Sequence, residues 1–377
     1  MSSVSATAKL AGACAGCLRR SWLLSSLSGP LEYCARDRAR LLELLALPDR
    51  KLLEAVAGRR AAELRARYER FRADELPHDP QLQSICRHCR GYPRALDGPA
   101  APPMLHVAGG AARLAKLTAA PVVTILGSRA ASDYGVQMAR SLARGLTASG
   151  VTVAASLTDG IAVAAHAGAL DAGAGSVAVM GAGLGVSCSP RRRSLYERVT
   201  REGCAVSELP HDCAGRRWGL LASERILAAL PSVAVVVEAD TSPGEVAAAR
   251  NAQALGCTVA AVPGRVTSPL SRGTNALLMA GASLVRGPHD VLDLLYAAGE
   301  PQPREQVSAP VGATPQNDLR PGLRVILERV GAGCDTPDEL ARAGVELSAA
   351  LLALSELELT GLLVRGDGGR YLPRNPL

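Results

Sequence analysis

The residues best suited to chemistry in this chain stand where predicted strands end. Gly127-Ser128-Arg129 follows an apolar, β-branched run, Val122 to Leu126, and precedes a helical pattern. Strand, tight turn and helix start bring free N–H groups to one place, an arrangement that holds anions. Gly127 permits close backbone approach. Ser128 offers a hydroxyl, and Arg129 a planar, permanently charged fork that matches phosphate. The same three residues also read as a plain turn with a solvated arginine. Further strand-end candidates are Gly181 and Gly183; Arg191, Arg192 and Arg193; Arg225; and Ser271, Arg272, Gly273 and Asn275. The arginines would neutralise phosphates, the glycines would admit backbone, and Ser271 and Asn275 would hydrogen-bond backbone or base edges. Any one arginine alone reads as solvated surface, so the assignment rests on their clustering at loops after strands.

The elements that must position these residues follow from hydrophobic pattern. Strands are expected at Val122 to Leu126, Val151 to Ala155, Ser176 to Met180, Cys204 to Glu208, Val233 to Val237, Thr258 to Val262 and Ala282 to Val285. These runs do not alternate, as expected for strands covered on both faces. Helical crossovers such as Gln137 to Ala148 and Gly244 to Leu255 complete an α/β, Rossmann-like, doubly wound, mostly parallel sheet over residues 99–298. Residues 1–98 read as a helical N-terminal domain and lead-in, with helices at Arg19 to Ser26, Leu31 to Leu45 and Asp49 to Phe71. There Arg38 or Arg40 could meet an anionic partner, against the plainer reading of a packing domain. Residues 299–318 are a Pro/Gly-rich linker. Residues 319–377 predict helices at Leu323 to Val330, Thr336 to Arg342 and Leu347 to Thr360, then a hairpin, which is a winged-helix pattern. The third of these helices carries Glu346, Glu356 and Glu358 and no cation, so a protein-contact role is expected rather than sequence-specific DNA reading.

The central region resembles the DNA-processing protein A (DprA/Smf) family. The matching text is Gly127-Ser128-Arg129, Leu157 with Gly160-Ile161 and Ala164-Ala165-His166, Gly181 to Leu184, Ser207 to Pro210, and Val236 to Ala239. Val262-Pro263-Gly264 running through Ser271 to Asn275 and on to Gly281-Ala282 completes it. The resemblance implies an extended Rossmann core that binds single-stranded DNA, forms a homodimer and loads the RecA recombinase in natural transformation. It implies no cofactor and no catalytic residues. The chain departs from the family pattern where an Arg is expected and Asp159 stands, where an Asp is expected and Ala162 stands, and at Ser223 and Glu224, which replace polar or cationic residues. The scaffold glycines are kept while several polar site residues are lost.

Composition bounds the alternatives. Hydrophobic residues at 48% supply a large core, while aromatics at 3% disfavour a binder built on stacked rings. A net charge of +7 fits a polyanionic partner, with the basic excess in the first two thirds of the chain. Only three of the cations are lysines, so arginine usage reflects composition as well as function. No membrane span or signal peptide is expected, and ten cysteines without export point to reduced thiols in a cytoplasm. Cys14 and Cys17 form one CxxC pair and Cys86 and Cys89 another. Two such pairs can hold zinc, but their separation of about 70 residues exceeds a compact ribbon's spacing, so free thiols are the plainer reading.

Two other functions fit these residues less well. A phosphoribohydrolase-like enzyme would need a phosphate loop and a poised carboxylate. Pro243-Gly244-Glu245 is a fragment of such a loop, and Glu208 and Glu238 are the strand-end acids. Of these, Glu238 reads better as a loop cap. A dinucleotide enzyme lacks GxGxxG at a helix start. A non-catalytic single-strand binder is the leading expectation.

Overall fold

A computed structural model describes residues 12–73, 79–98, 101–186, 189–241, 244, 246–296, 319–331, 334–365 and 370–373. The chain divides into two compact units, Met1–Pro301 and Gln302–Leu377. The expected linker at 299–318 lies outside the described residues.

The first unit opens with five helices: α1 (Ala15–Ser26), α2 (Ser28–Cys34), α3 (Arg38–Ala46), α4 (Asp49–Val56) and α5 (Ala61–Arg70). Two long helices expected from apolar periodicity are each broken in two. Asp37 caps α3 by accepting from the Arg40 N–H, and a short 3-10 turn at Gly58–Arg60 separates α4 from α5. The α/β part then runs β1 (Leu82–Cys86), β2 (Met104–Ala108), α6 (Ala111–Ala119), β3 (Val122–Leu126), α7 (Asp133–Ala148) and β4 (Thr152–Ser156). It continues with α8 (Ile161–Asp171), β5 (Val177–Val179), α9 (Pro190–Glu202), β6 (Cys204–Ser207) and α10 (Arg217–Ala229). The last members are β7 (Val233–Val236), α11 (Ala247–Ala254), β8 (Thr258–Ala261), α12 (Arg272–Met279), β9 (Ser283–Leu284) and α13 (Pro288–Tyr296).

The nine strands form one sheet in the order β1-β2-β6-β5-β4-β3-β7-β8-β9. Pairing is parallel from β6 across to β9, while β1 and β2 add an antiparallel edge. The seven expected strands are present; β1 and β2 are two more. The chain leaves β3 in one direction through β4, β5 and β6, then returns to β7 on β3's other side, so the topological switch lies between β3 and β7.

Both sheet faces are covered, which is why the strand text does not alternate. In β3, Val122 and Leu126 join the core shared with α6, α10, α11 and α12, while Val123 and Ile125 join the core shared with α7, α8 and α13. The helical N-terminus is not free of this body. Trp22, Leu31, Leu41 and Phe71 share a core with Trp218, Leu221 and Ala222 of α10. Glu32 accepts from the Trp218 N–H at 3.1 Å, and Arg38 pairs with Glu224.

Two buried histidines in this unit fix an acid limit. His166 Nε2 lies 3.1 Å from the Ser156 carbonyl, which only accepts, so Nε2 carries the proton and Nδ1 accepts from the Ser176 hydroxyl at 2.9 Å. His106 is held between Ser21 and Ser84 hydroxyls. Burial pushes both imidazoles down to about 4. The unfolded chain takes up protons at the ordinary histidine range near 6.5 while the folded chain resists them, so the stability they confer is present above about 6.5 and is lost as pH falls toward about 4. Urea midpoints measured at pH 7 and pH 5 should differ by a few kcal/mol in unfolding free energy, roughly 1.4 per shifted unit for each histidine. Equal midpoints would show that these rings protonate in place.

The second unit holds α14 (Pro321–Gly331), α15 (Pro337–Arg342), α16 (Leu347–Leu359), and a hairpin of β10 (Leu363–Arg365) and β11 (Tyr371–Pro373). Its core is Leu323, Ile326, Leu340, Leu354, Leu357 and Tyr371. Thr336 caps α15 by accepting from the Glu339 N–H, with Pro337 at the first helical position.

Candidate nucleic-acid interface

The parallel strands β6, β5, β4, β3, β7 and β8 end along one edge of the sheet, and the expected site residues follow those ends. At the switch between β3 and β7 the expected phosphate cradle is filled by the chain itself. Glu238, two residues beyond the end of β7, is buried. Its carboxylate accepts from the Ser132 N–H at 2.9 Å and from the Ser132 hydroxyl at 2.6 Å. Ser132 is the N-cap of α7 and accepts from the Gly135 N–H. The positive end of the α7 dipole therefore faces a carboxylate already, and Asp133 adds a second in the first turn.

The turn before α7 is closed as well. Gly127 has φ +157°, and a Cβ there would stand 2.6 Å from the Glu238 carbonyl and 2.7 Å from Ile161. Ser128 is buried; its N–H donates to the Glu238 carbonyl at 2.7 Å and its carbonyl accepts from the Ile161 N–H at 3.1 Å. Gly127 and Ser128 thus lock three strand ends together. Arg129 alone of this trio is exposed.

Several other expected ligands are committed to the chain's own structure. Arg225 is buried and pairs with Glu208 at the end of β6, one guanidinium nitrogen lying 2.7 and 2.5 Å from the two carboxylate oxygens. That pair accounts for both residues without a phosphate. Asn275 clamps the loop after β8, accepting from the Gly264 N–H at 3.2 Å and donating to its carbonyl at 3.1 Å. Ser271 is buried beside Gly264. Gly181, Gly183 and Gly273 pack against the chain at Leu220, Pro210 and Asp240. Arg192 donates to the Leu157 carbonyl at 3.1 Å and lies 3.9 Å from Asp159, which offsets the acid standing where a cation was expected. Ala162 is buried in α8, Ser223 donates to the Leu220 carbonyl at 2.7 Å, and Glu224 meets Arg38. Burial raises the Glu224 carboxyl and Arg38 opposes that rise. Arg38 is thereby engaged in packing rather than presented to a ligand. The Arg191 side chain, and Pro243 and Glu245 of the loop fragment, lie outside the described residues.

Six arginines remain open on this edge, beside the exposed acids Asp133 and Asp212. Arg129, Arg193 and Arg272 are exposed, and so are Arg216, Arg217 and Arg265, which motif reading passed over. Among the described residues none of the six has an ion-pair partner. Their signal is positional: Arg193 is in α9, Arg217 opens α10 and Arg272 opens α12, and none of these three helices has an acid in its first turn. A helix start favours anionic side chains, so arginines there run against the local electrostatic rule.

The CxxC residues also converge. Cys14, Cys17, Cys86 and His88 place their ligand atoms within 4.8 Å of one another, and the Cys89 sulfur lies 3.6 Å from that of Cys86.

The profile of the DNA recombination-mediator protein A family matches residues 83–296, the sheet and its strand-end edge. The chain belongs to this family. A Mycobacterium tuberculosis chain that carries the DprA name is 35% identical over 270 residues, spanning 71% of this chain and 68% of that one. Protein Smf of Escherichia coli is 32% identical over 250 residues, 66% of each. The crystal structure of DNA processing protein A from Streptococcus pneumoniae superposes with a TM-score of 0.58 at 24% identity, covering 74% of this chain and 98% of that one. DNA processing protein A from Helicobacter pylori, whose structure is described for its single-stranded DNA binding mode, superposes at 0.51 and 24% identity over 58% of this chain and 97% of that one. The family resemblance read from the motifs, and the mostly parallel α/β fold it implied, are thus borne out. Among the described residues no helix is long and apolar enough to cross a membrane.

Proposed function

We propose that this DNA-processing family member binds single-stranded DNA along the carboxyl edge of its sheet, through Arg129, Arg193, Arg216, Arg217, Arg265 and Arg272. The observation that carries the reading is the set of helix starts that present arginine and no acid. Such starts are unfavourable in the free protein and favourable against a polyanion. The single-stranded DNA binding mode described for the Helicobacter pylori relative supports the choice of a single strand over a duplex. Exposed aromatic side chains are few, with Tyr134 half-exposed after β3, so charge rather than stacking dominates and little sequence preference is expected.

The reading is non-catalytic. Glu208 is neutralised by Arg225, and Glu238 is spent on the α7 N-terminus, so neither strand-end carboxylate stands ready to move a proton for a hydrolytic reaction. Delivery of the coated strand to the RecA recombinase, a role in natural transformation and a cytoplasmic setting are proposed with it. A homodimer is proposed on the exposed apolar residues Leu255, Met279 and Leu284 around the β9 edge. The second unit is proposed as a winged-helix module for protein contact. On α16 the exposed side chains include Leu347, Leu351, Leu352 and Glu358 and no cation, and Glu346 is engaged as the helix cap.

Fluorescence anisotropy of a labelled single strand against salt tests this. Affinity should fall linearly on a log–log scale, with a slope of about 0.7 per phosphate neutralised, and duplex should bind more weakly. Salt-insensitive binding, or release of free base from nucleoside monophosphates in the same samples, would overturn it in favour of the hydrolase.

A further inference from the structure

We propose that Cys14, Cys17, Cys86 and His88 form a structural zinc site that ties the first helix to the outer strand of the sheet. Three sulfurs surround one ring nitrogen: His88 Nδ1 lies 3.3 Å from Cys14 Sγ and 3.7 Å from both Cys17 Sγ and Cys86 Sγ. An imidazole nitrogen carries one proton or one lone pair, so hydrogen bonding accounts for one of these approaches and not for three. Tetrahedral coordination accounts for all of them. Zinc–sulfur and zinc–nitrogen bonds of ~2.3 and ~2.0 Å give ligand-to-ligand edges of about 3.5–3.8 Å.

The surroundings suit bound thiolates. The Cys14 N–H points at the Cys86 sulfur at 3.4 Å, an outer-shell donor of the kind that steadies metal thiolates. Cys17 and Cys86 are buried with Met104, while Cys14 and His88 are exposed and give the ion a way in. Cys89 is beside the set but engaged elsewhere, donating to the Gly12 carbonyl at 3.2 Å. Three sulfurs and one imidazole fit a closed structural site, with no open position for a substrate.

Position gives the site its work. Cys14 is the N-cap of α1 without a capping side-chain bond, Cys17 is in α1, Cys86 ends β1 and His88 lies in the turn after it. β1 is the outermost antiparallel strand. A metal there would close a loop of roughly seventy residues in the unfolded chain and add its binding energy to folding. It would also hold the five-helix segment in place against the sheet.

The test uses the full-length reduced chain. Zinc per chain is measured after purification and again after refolding with added zinc, and cobalt(II) is titrated into metal-free protein. The expected result is about one zinc per chain and a thiolate-to-cobalt charge-transfer band. Cys17→Ser and His88→Ala should each weaken metal binding by more than about a hundredfold, beyond the range produced by losing an outer-shell partner. Cys34→Ser and Cys89→Ser should bind as the parent does. A parent chain that holds no zinc and gives no cobalt band overturns the proposal whether or not the variants fold. A disulfide among these cysteines in the freshly reduced chain overturns it too. Loss of metal in Cys89→Ser with retention in His88→Ala overturns the assignment of the fourth ligand.

Discussion

Replacing Arg225 by methionine is expected to destabilise the first unit by about 3–5 kcal/mol, the usual cost of leaving one member of a buried ion pair without its partner. Glu208 and Arg225 are 3% and 7% exposed at the side chain, so water cannot replace the lost guanidinium. The double variant Arg225→Met with Glu208→Leu should recover most of the loss, because an apolar pair of similar volume carries no desolvation cost. Urea unfolding of the parent, the single and the double variant measures this. At temperatures where Arg225→Met remains folded, single-strand affinity should stay within about twofold of the parent. A stable variant that loses DNA binding would show instead that Arg225 reaches phosphate, and the buried pair would then be a resting arrangement.

The triple variant Arg129→Ala, Arg193→Ala, Arg272→Ala should lower the salt slope of single-strand binding by about 2, at ~0.7 for each phosphate left without its arginine. Exposed charge pairs are worth at most about 1 kcal/mol each, so affinity at physiological salt should drop by roughly 30- to 150-fold, the equivalent of about 2–3 kcal/mol. Stability should not follow affinity down. Arg272 opens α12 against the helix dipole, so its removal is expected to leave the melting temperature unchanged or slightly raised. Arg342→Ala, at the end of α15 in the second unit, is the control and should bind as the parent does. Parent-like binding by the triple variant would remove the strand-end arginines from the DNA path and leave the family likeness one of scaffold.

Fold class, most of the sheet and the family are legible in the amino-acid text. Seven strands of the parallel part stand out because each is a short β-branched or alanine-rich run between glycine or proline breaks, as burial on both faces requires. The cap at Thr336 and the crossover helices are legible from local chemistry. β1 and β2 are not. Leu82 to Cys86 mixes polar and apolar residues and Met104 to Ala108 contains a histidine, and only pairing with each other and with β6 makes them strands. The fates of the site residues belong to the tertiary structure. Nothing local to Gly127-Ser128-Arg129 says that a carboxylate more than a hundred residues away fills the helix start beyond it. Likewise Arg225 and Arg272 look alike as text, yet one is buried against Glu208 and the other faces solvent. The two CxxC segments are legible as pairs, but their convergence is not, because chain separation carries no information about which helix packs on which strand. Residue type reports what a side chain can bond to; only the packing of distant segments decides whether a partner within the chain has already taken it.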